Sequence, residues 1–100
     1  MADVLLTLVV PDSVAEQVED FLLSRPDLVR GFTVTRADGH GSLVPLLEVA
    51  ELVAGHAPRH LIRTLGEAET MRAVLAALRG AMPGVHVYYW LTPVLEAGRL

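Results

Sequence analysis

The residues best suited to chemistry in this chain form a glycine-rich turn, Gly39-His40-Gly41-Ser42. Successive backbone amides in such a turn can form a concave nest that binds an anion such as phosphate. The same turn also suits a simple exit from a strand, where glycine permits a positive φ. The residues by themselves favour the second interpretation, so an anion site needs support from elsewhere in the chain.

The four histidines raise the question of a metal site, because neutral imidazole is the commonest metal ligand near pH 7. His56 and His60 are four residues apart, but Pro58 between them prevents a helical pair. On a strand they would lie roughly 13 Å apart, too far for one ion. If the chain forms a trimer, its axis would bring three copies of His40 or of His86 together, and these two are the candidate metal ligands. The alternative is that the histidines face solvent or are satisfied within the core.

Composition excludes several kinds of chemistry. The chain has no cysteine, and all eight of its Lys and Arg residues are arginines. A thiolate nucleophile, a Schiff-base lysine and a phosphate-binding lysine of the Walker type are therefore absent. Neither Ser13 nor Ser42 lies in a nucleophile-elbow pattern, and no acid pair accompanies a histidine in a known motif. We therefore expect a protein that is not an enzyme.

Length and charge restrict the class of protein further. One hundred residues, 52% of them hydrophobic, are enough for a single domain over residues 1–100. A net charge of −4 with scattered arginines argues against nucleic-acid binding. No apolar run reaches the ~18 residues that cross a bilayer, so direct membrane insertion is not expected. Asp3 follows Met1-Ala2 where a signal peptide would need basic residues, which predicts a cytoplasmic protein.

The first half of the chain predicts a strand, a helix and a second strand. Residues 3–10 form a continuous β-rich run that stops at Pro11. Residues 13–16 have the form of a capping box that starts a helix, and Pro26 ends it. The apolar stripe of that helix has helical spacing and consists of Val14, Val18, Phe21 and Leu22. Residues 32–35 alternate apolar and polar side chains, as a half-buried strand does.

A long connector and three more elements follow. The connector covers residues 36–59, longer than the ~12–15 residues usual for an irregular connection, and its apolar middle argues against a disordered tail. It is either a partner-binding segment or a cap on a neighbouring subunit, with hinges expected at the glycines.

Three predicted elements follow the connector: a third strand over 60–65, a helix over 67–79 and a fourth strand over 85–91. The apolar stripe of this helix consists of Met71, Val74 or Leu75, and Leu78.

The order β-α-β-β-α-β predicts an α+β ferredoxin-like fold, an antiparallel sheet with both helices on one face. The first and the fourth predicted strands carry apolar side chains on both of their faces. In the first strand Leu6 and Leu8 alternate with Leu5 and Val9, and in the fourth Tyr89 alternates with Trp90. A sheet whose uncovered face is apolar indicates an interface. We therefore expect self-association through that face.

The pattern resembles the PII-like signalling proteins, trimers whose mobile T-loop follows the second strand. Residues 33–42, TVTRADGHGS, are similar to the run that enters the PII T-loop. The end of the chain, YWLTPVLEAGRL at 89–100, resembles a subgroup of small bacterial PII-like proteins often encoded beside heavy-metal efflux pumps. The resemblance implies a homotrimer with a T-loop-like connector at 36–59. It also implies a ligand cleft between subunits, at Arg36, Gly39, His40, Gly41, Ser42 and Arg99.

The chain also departs from the PII pattern. PII proteins hold ATP phosphates with a lysine in the loop before the last strand and with arginines near the end of the chain. Here that loop is Met82-Pro83-Gly84, and Arg99 is the only late cation. No tyrosine lies within the connector, which excludes the tyrosine modification of PII. A bound nucleotide would therefore be held weakly, through backbone more than side-chain charge.

Two functional hypotheses remain open at this point. The first is a regulatory trimer that binds a small ligand, such as an adenine nucleotide, and acts on a protein partner through the connector. The second is a metal-binding or metal-responsive accessory protein of a heavy-metal resistance system, similar in fold to CutA-type proteins, with a divalent transition metal as its ligand. In either case a membrane transporter or efflux component is a natural protein partner.

Overall fold

The fold is a four-stranded antiparallel sheet with two helices, seen in a computed structural model that describes residues 3–41 and 57–100. The strands lie in the order β2-β3-β1-β4, so the chain forms the expected ferredoxin-like α+β arrangement. The elements are β1 Asp3–Pro11, α1 Asp12–Leu23, β2 Thr33–Gly39, β3 Ala57–Glu67, α2 Ala68–Ala81 and β4 Tyr88–Pro93.

The core lies between the helices and one face of the two central strands. On β1 the alternate residues Leu6, Leu8 and Val10 are fully buried, and Ile62 joins them from β3. The buried helix residues that meet them are Ala15, Val18 and Leu22 of α1 and Met71, Val74, Leu75 and Leu78 of α2. The predicted stripes are confirmed. Each fully buried aliphatic side chain contributes about 1.5–3 kcal/mol.

The start of α1 differs from the prediction. The helix begins at Asp12, Pro11 occupies the N-cap position, and no side-chain cap hydrogen bond forms. The predicted capping box at residues 13–16 is therefore wrong. Pro11 has φ −55° and ψ 140°, and its ring restricts φ to such values. The chain therefore passes from strand to helix at Pro11 without a capping hydroxyl. Asp12 then places a carboxylate in the first turn, where the helix dipole favours it.

The end of α1 precedes Pro26, as expected. The backbone N–H of Ser24 donates to the carbonyls of Asp20 and Phe21, at 3.0 and 3.1 Å. Arg25 then donates from Nε and Nη2 to the two carboxylate oxygens of Asp27, at 3.0 and 2.9 Å. These hydrogen bonds lower the pKa of Asp27 and raise the pKa of Arg25. The pair holds the two residues on either side of Pro26 together.

The connector is shorter than the sequence indicated. β2 continues to Gly39 and β3 begins at Ala57, and these two residues pair with each other. Residues 36–39 and 57–59 are therefore strand, and the prediction of a connector over 36–59 is wrong at both ends. Pro58 made the start of β3 hard to predict, because proline does not fit a strand that is paired on both sides. In the structure Pro58 pairs only with β2, since the β1 ladder ends at Arg59. A proline is tolerated where one side of a strand is unpaired. The apolar middle of the connector lies outside the described residues.

The last strand is displaced from its predicted position. β4 covers Tyr88–Pro93 where residues 85–91 were predicted. It pairs only with β1, from Val9↔Tyr88 to Val4↔Pro93. If that register continued, Val85 would face Asp12, which already belongs to α1, and His86 would face Pro11, which has no N–H. Val85 and His86 therefore have no strand with which to pair.

The face of the sheet away from the helices is largely apolar. We call it the open face, and define it by Leu5, Thr7, Val9, Leu61, Arg63, Leu65, Tyr88 and Trp90. Tyr88 and Trp90 are each 46% exposed. Thr7 is buried because Arg63 and Trp90 flank it on the neighbouring strands. The expectation that both faces of the sheet carry apolar side chains is confirmed. Among residues 3–41 and 57–100, no helix is long and apolar enough to cross a membrane.

We predict that Leu8→Ala lowers the free energy of unfolding by about 2–5 kcal/mol, because it leaves a cavity in a fully packed site. Leu23→Ala is the matched control, since Leu23 is 68% exposed on α1 and its change should stay within about 0.5 kcal/mol. Urea denaturation followed by circular dichroism measures both. Equal effects of the two substitutions would contradict this assignment of the core.

Candidate functional site

The glycine-rich turn directly follows the end of β2. Gly39 is the last residue of β2, and both His40 and Gly41 are exposed. Gly41 has φ 101°, in the region that favours glycine, so a side chain there would be strained although no atom of the described residues crowds it. The predicted need for a positive φ is confirmed at Gly41. Ser42 lies outside the part of the chain that the structure describes.

A cavity of about 230 Å³, which we call the upper cavity, opens near the end of β2 that precedes this turn. Arg36, a predicted ligand-binding residue, lies in its wall, and Arg36 pairs with His60 across β2 and β3. The cavity therefore lies at the same end of β2 as the glycine-rich turn. It combines two arginines, two carboxylates and an imidazole: its lining consists of Asp12, Arg36, Ala37, Asp38, Pro58, Arg59 and His60.

His60 is held between two carboxylates from α1. Its Nε2 lies 2.9 Å from Oδ1 of Asp12, and its Nδ1 lies 3.3 Å from Oε2 of Glu19. The imidazole is 15% exposed. Because the carboxylates lie two helical turns apart, one ring fastens β3 to both the start and the middle of α1. No local pattern in the sequence indicates this cluster, since 48 and 41 residues separate His60 from its partners.

A larger cavity of about 620 Å³, which we call the lower cavity, lies at the other end of the sheet. Its volume falls in the range of small-molecule pockets, roughly 300–1,000 Å³. It combines apolar walls with two arginines, and the residues after β4 form part of its rim. The lining consists of Asp3, Leu5, Arg30, Gly31, Phe32, Thr33, Arg63, Thr64, Leu65, Ala97 and Gly98.

The two arginines of the lower cavity differ in their partners. Nη2 of Arg30 donates to Oδ2 of Asp3 at 3.1 Å and to the carbonyl of Leu65 at 3.4 Å. Within residues 3–41 and 57–100, the side chain of Arg63 makes one hydrogen bond, a long one of 3.4 Å to Oγ1 of Thr35. A guanidinium has five N–H donors. Arg63 therefore keeps donors for an anionic group. Nothing in the sequence distinguished Arg30 and Arg63 from the other arginines.

The predicted ligand residues do not all meet within one protomer. Arg36, Gly39, His40 and Gly41 lie at the end of β2, beside the upper cavity. Arg99 follows Ala97 and Gly98, which line the lower cavity near Thr33 at the start of β2. A strand of this length separates the two groups by roughly 20 Å.

The predicted metal ligands His40 and His86 are both exposed. Among the described residues, no group of three or more His, Asp or Glu side chains is arranged to hold a metal ion. A site built by three copies of His40 or His86 around an axis stays a prediction.

Solved structures show that the chain has the fold of the PII-like proteins. It is similar to CPII, a nitrogen regulatory PII-like protein from Thiomonas intermedia K12 bound to ADP, AMP and bicarbonate. That TM-score is 0.70 at 18% identity, over 100% of this chain and 97% of CPII. It is also similar to the periplasmic divalent cation tolerance protein CutA from Archaeoglobus fulgidus. Here the TM-score is 0.70 at 11% identity, over 97% of this chain and 88% of CutA.

The chain belongs to the DUF3240 family, described as a protein of unknown function, whose family profile matches residues 1–100. A DUF3240 family protein from Shewanella baltica OS155 has a crystal structure with a TM-score of 0.78 to this chain at 20% identity. The match covers 100% of this chain and 98% of that one. The curated proteins contain no match.

We predict that His60→Ala lowers the free energy of unfolding by about 1–3 kcal/mol, because the contacts of the ring nitrogens with two carboxylates are lost. His86→Ala, at an exposed histidine before β4, is the matched control and should change stability by less than about 0.5 kcal/mol. Thermal and urea denaturation of the two variants give the comparison. If His60→Ala leaves the free energy of unfolding unchanged, the ring does not fasten α1 to β3.

Proposed function

We propose that this protein is a non-enzymatic PII-like regulatory protein. It assembles as a homotrimer, binds a small anionic ligand in the clefts between subunits, and acts on a protein partner through the connector. The observation that carries the proposal is the lower cavity, since it has the volume of a ligand pocket, apolar walls and Arg63, most of whose donors are unused within the described residues.

The open face supports the trimer. Its two large aromatic side chains, Tyr88 and Trp90, are nearly half exposed beside aliphatic residues of β1 and β3. An exposed apolar patch of this kind marks an interface. The helices cover only the other face, so a second copy of the chain is the simplest cover for this one. The PII-like fold supports the same assembly.

A cleft between subunits also accounts for the division of the predicted ligand residues. In one protomer, Arg36 and Gly41 lie roughly 20 Å from the lower cavity and the segment that carries Arg99. Neighbouring copies can bring the end of β2 in one protomer against the lower cavity of the next. The ligand would then meet backbone amides at Gly41 from one subunit and guanidinium groups from another.

The charge of the site favours an anion, and an adenine nucleotide is the first candidate. CPII, which shares the fold, was solved with ADP, AMP and bicarbonate. The chain has no lysine, so phosphate contacts depend on arginines and backbone amides. Charge-assisted hydrogen bonds are about twice as strong as neutral ones, so the loss of a lysine weakens binding. We therefore expect a nucleotide affinity weaker than that of a lysine-containing PII site.

The connector between β2 and β3 is the natural output of the site, because it begins directly after Gly39, in the glycine-rich turn where the ligand would bind. We propose that it contacts a protein partner, a transporter or efflux component in a membrane.

The alternative ligand is a divalent transition metal, which the fold shared with CutA supports. Thermal-shift measurements with ATP, ADP and AMP against Zn²⁺, Cu²⁺, Co²⁺ and Ni²⁺ separate the two, since a ligand at 100 times its Kd adds about 2.7 kcal/mol.

We predict a trimeric mass for the wild type in multi-angle light scattering, and loss of that mass in Trp90→Asp, because a carboxylate would be buried in an apolar interface. Leu5→Asp should act in the same way. Leu23→Asp places the same charge on an exposed apolar position of α1, away from the open face, and should leave the trimer intact. A monomeric wild type would contradict the assembly and the proposed function with it.

We predict that Gly41→Val abolishes nucleotide binding measured by calorimetry, because a β-branched residue cannot hold φ 101° and the backbone would turn away from the phosphate. Arg99→Ala should weaken binding only in part. Gly80→Ala, at an exposed helical glycine with open space around it, serves as the control and should bind as the wild type does. Unchanged binding by Gly41→Val would remove the glycine-rich turn from the site.

A further inference from the structure

A small apolar groove lies between the end of α2 and the segment that leads into β4. Its volume is about 120 Å³, well below the roughly 300 Å³ at which small-molecule pockets begin. An apolar cavity on the order of 150 Å³ holds one benzene molecule, so this groove accommodates a single aliphatic side chain. Its apolar walls include Leu8, Leu75, Leu78, Met82 and Val87, and exposed Arg79 also borders it.

The segment after β4 carries two exposed apolar side chains. The backbone N–H of Val94 still donates to the carbonyl of Asp3, at 3.2 Å. Beyond it Leu95 and Leu100 are fully exposed, at 103% and 127% relative accessibility. Burying one leucine contributes about 1.5–3 kcal/mol, so such side chains indicate a segment that packs on another molecule.

Charge selects which leucine fits the groove. Arg79 borders the groove, and Glu96 follows Leu95 directly in the chain. A leucine inserted in the groove with a carboxylate beside it would therefore pair with the guanidinium of Arg79. Leu100 follows Arg99, whose positive charge would repel Arg79. Leu95 with Glu96 is thus the complementary pair.

The groove and the tail of the same protomer cannot meet. The groove borders Val87, just before β4, and Leu95 lies beyond the other end of that strand. A six-residue strand separates them by roughly 20 Å. We infer that Leu95 of one copy docks in the groove of a second copy, with Glu96 pairing with Arg79. Such a head-to-tail contact uses two different surfaces and can close a ring of copies. The inference rests on the self-association in the proposed function and adds to it a contact outside the open face.

A charge-reversal cycle tests the contact. Arg79→Glu and Glu96→Arg should each weaken assembly, with a dissociation constant raised on the order of 5-fold or more, because like charges then oppose each other. The double variant restores opposite charges and should return to within about 2-fold of the wild type. Sedimentation equilibrium measures the constants. Leu95→Ala should also weaken assembly, whereas Leu100→Ala and the exposed α2 variant Arg72→Glu should not.

The outcomes separate this inference from the proposed function. Glu96 lies in the exposed tail, so Glu96→Arg tests the contact without disturbing the core. If the wild type is a trimer and the two reversals are additive, with no recovery in the double variant, the docking contact is wrong and the proposed function stands. If the wild type is a monomer, both are wrong. Recovery in the double variant, together with a loss in Leu95→Ala, supports the contact.

Discussion

The structure depends on one constraint, that its central strands are apolar on both faces while the helices cover only one. Leu6 and Leu8 are fully buried under α1 and α2, whereas Leu5 and Val9 of the same strand belong to the open face. Water is excluded from the first face by helix packing, which stabilises the protomer. The second face holds half-exposed Tyr88 and Trp90 and has no cover within the described chain. Burial of apolar area there is the free energy available for assembly.

The charged residues sort according to the same two faces. On the helix side, the ring nitrogens of His60 contact Asp12 and Glu19, so this polar cluster holds α1 against β3. On the open face, Arg63 lies among apolar side chains with one long hydrogen bond to Thr35. An arginine that becomes buried with unused donors is costly unless an anion or a carboxylate meets it. That cost is why an anionic ligand and assembly through the open face belong together in the proposed function.

Much of the fold was predictable because its signals are local. The β-rich run of β1, the helical spacing of Val18 and Leu22, and the positive φ at Gly41 all follow from neighbouring residues. The element ends were less predictable. Pro11 is the helix cap where Ser13 was expected. The first three residues of β3 were not predicted, because a proline such as Pro58 is tolerated only where one side of the strand is unpaired.

The sequence by itself determined the fold class, the absence of thiol and lysine chemistry, and the presence of two apolar sheet faces. These properties depend on composition and on periods of two and 3.6 residues, which are visible along the chain. Only the tertiary structure decided which charges meet. It joined His60 to Asp12 across 48 residues and placed Arg63 beside Arg30 in one cavity. Contacts between distant residues depend on strand order and register, and no local pattern encodes them.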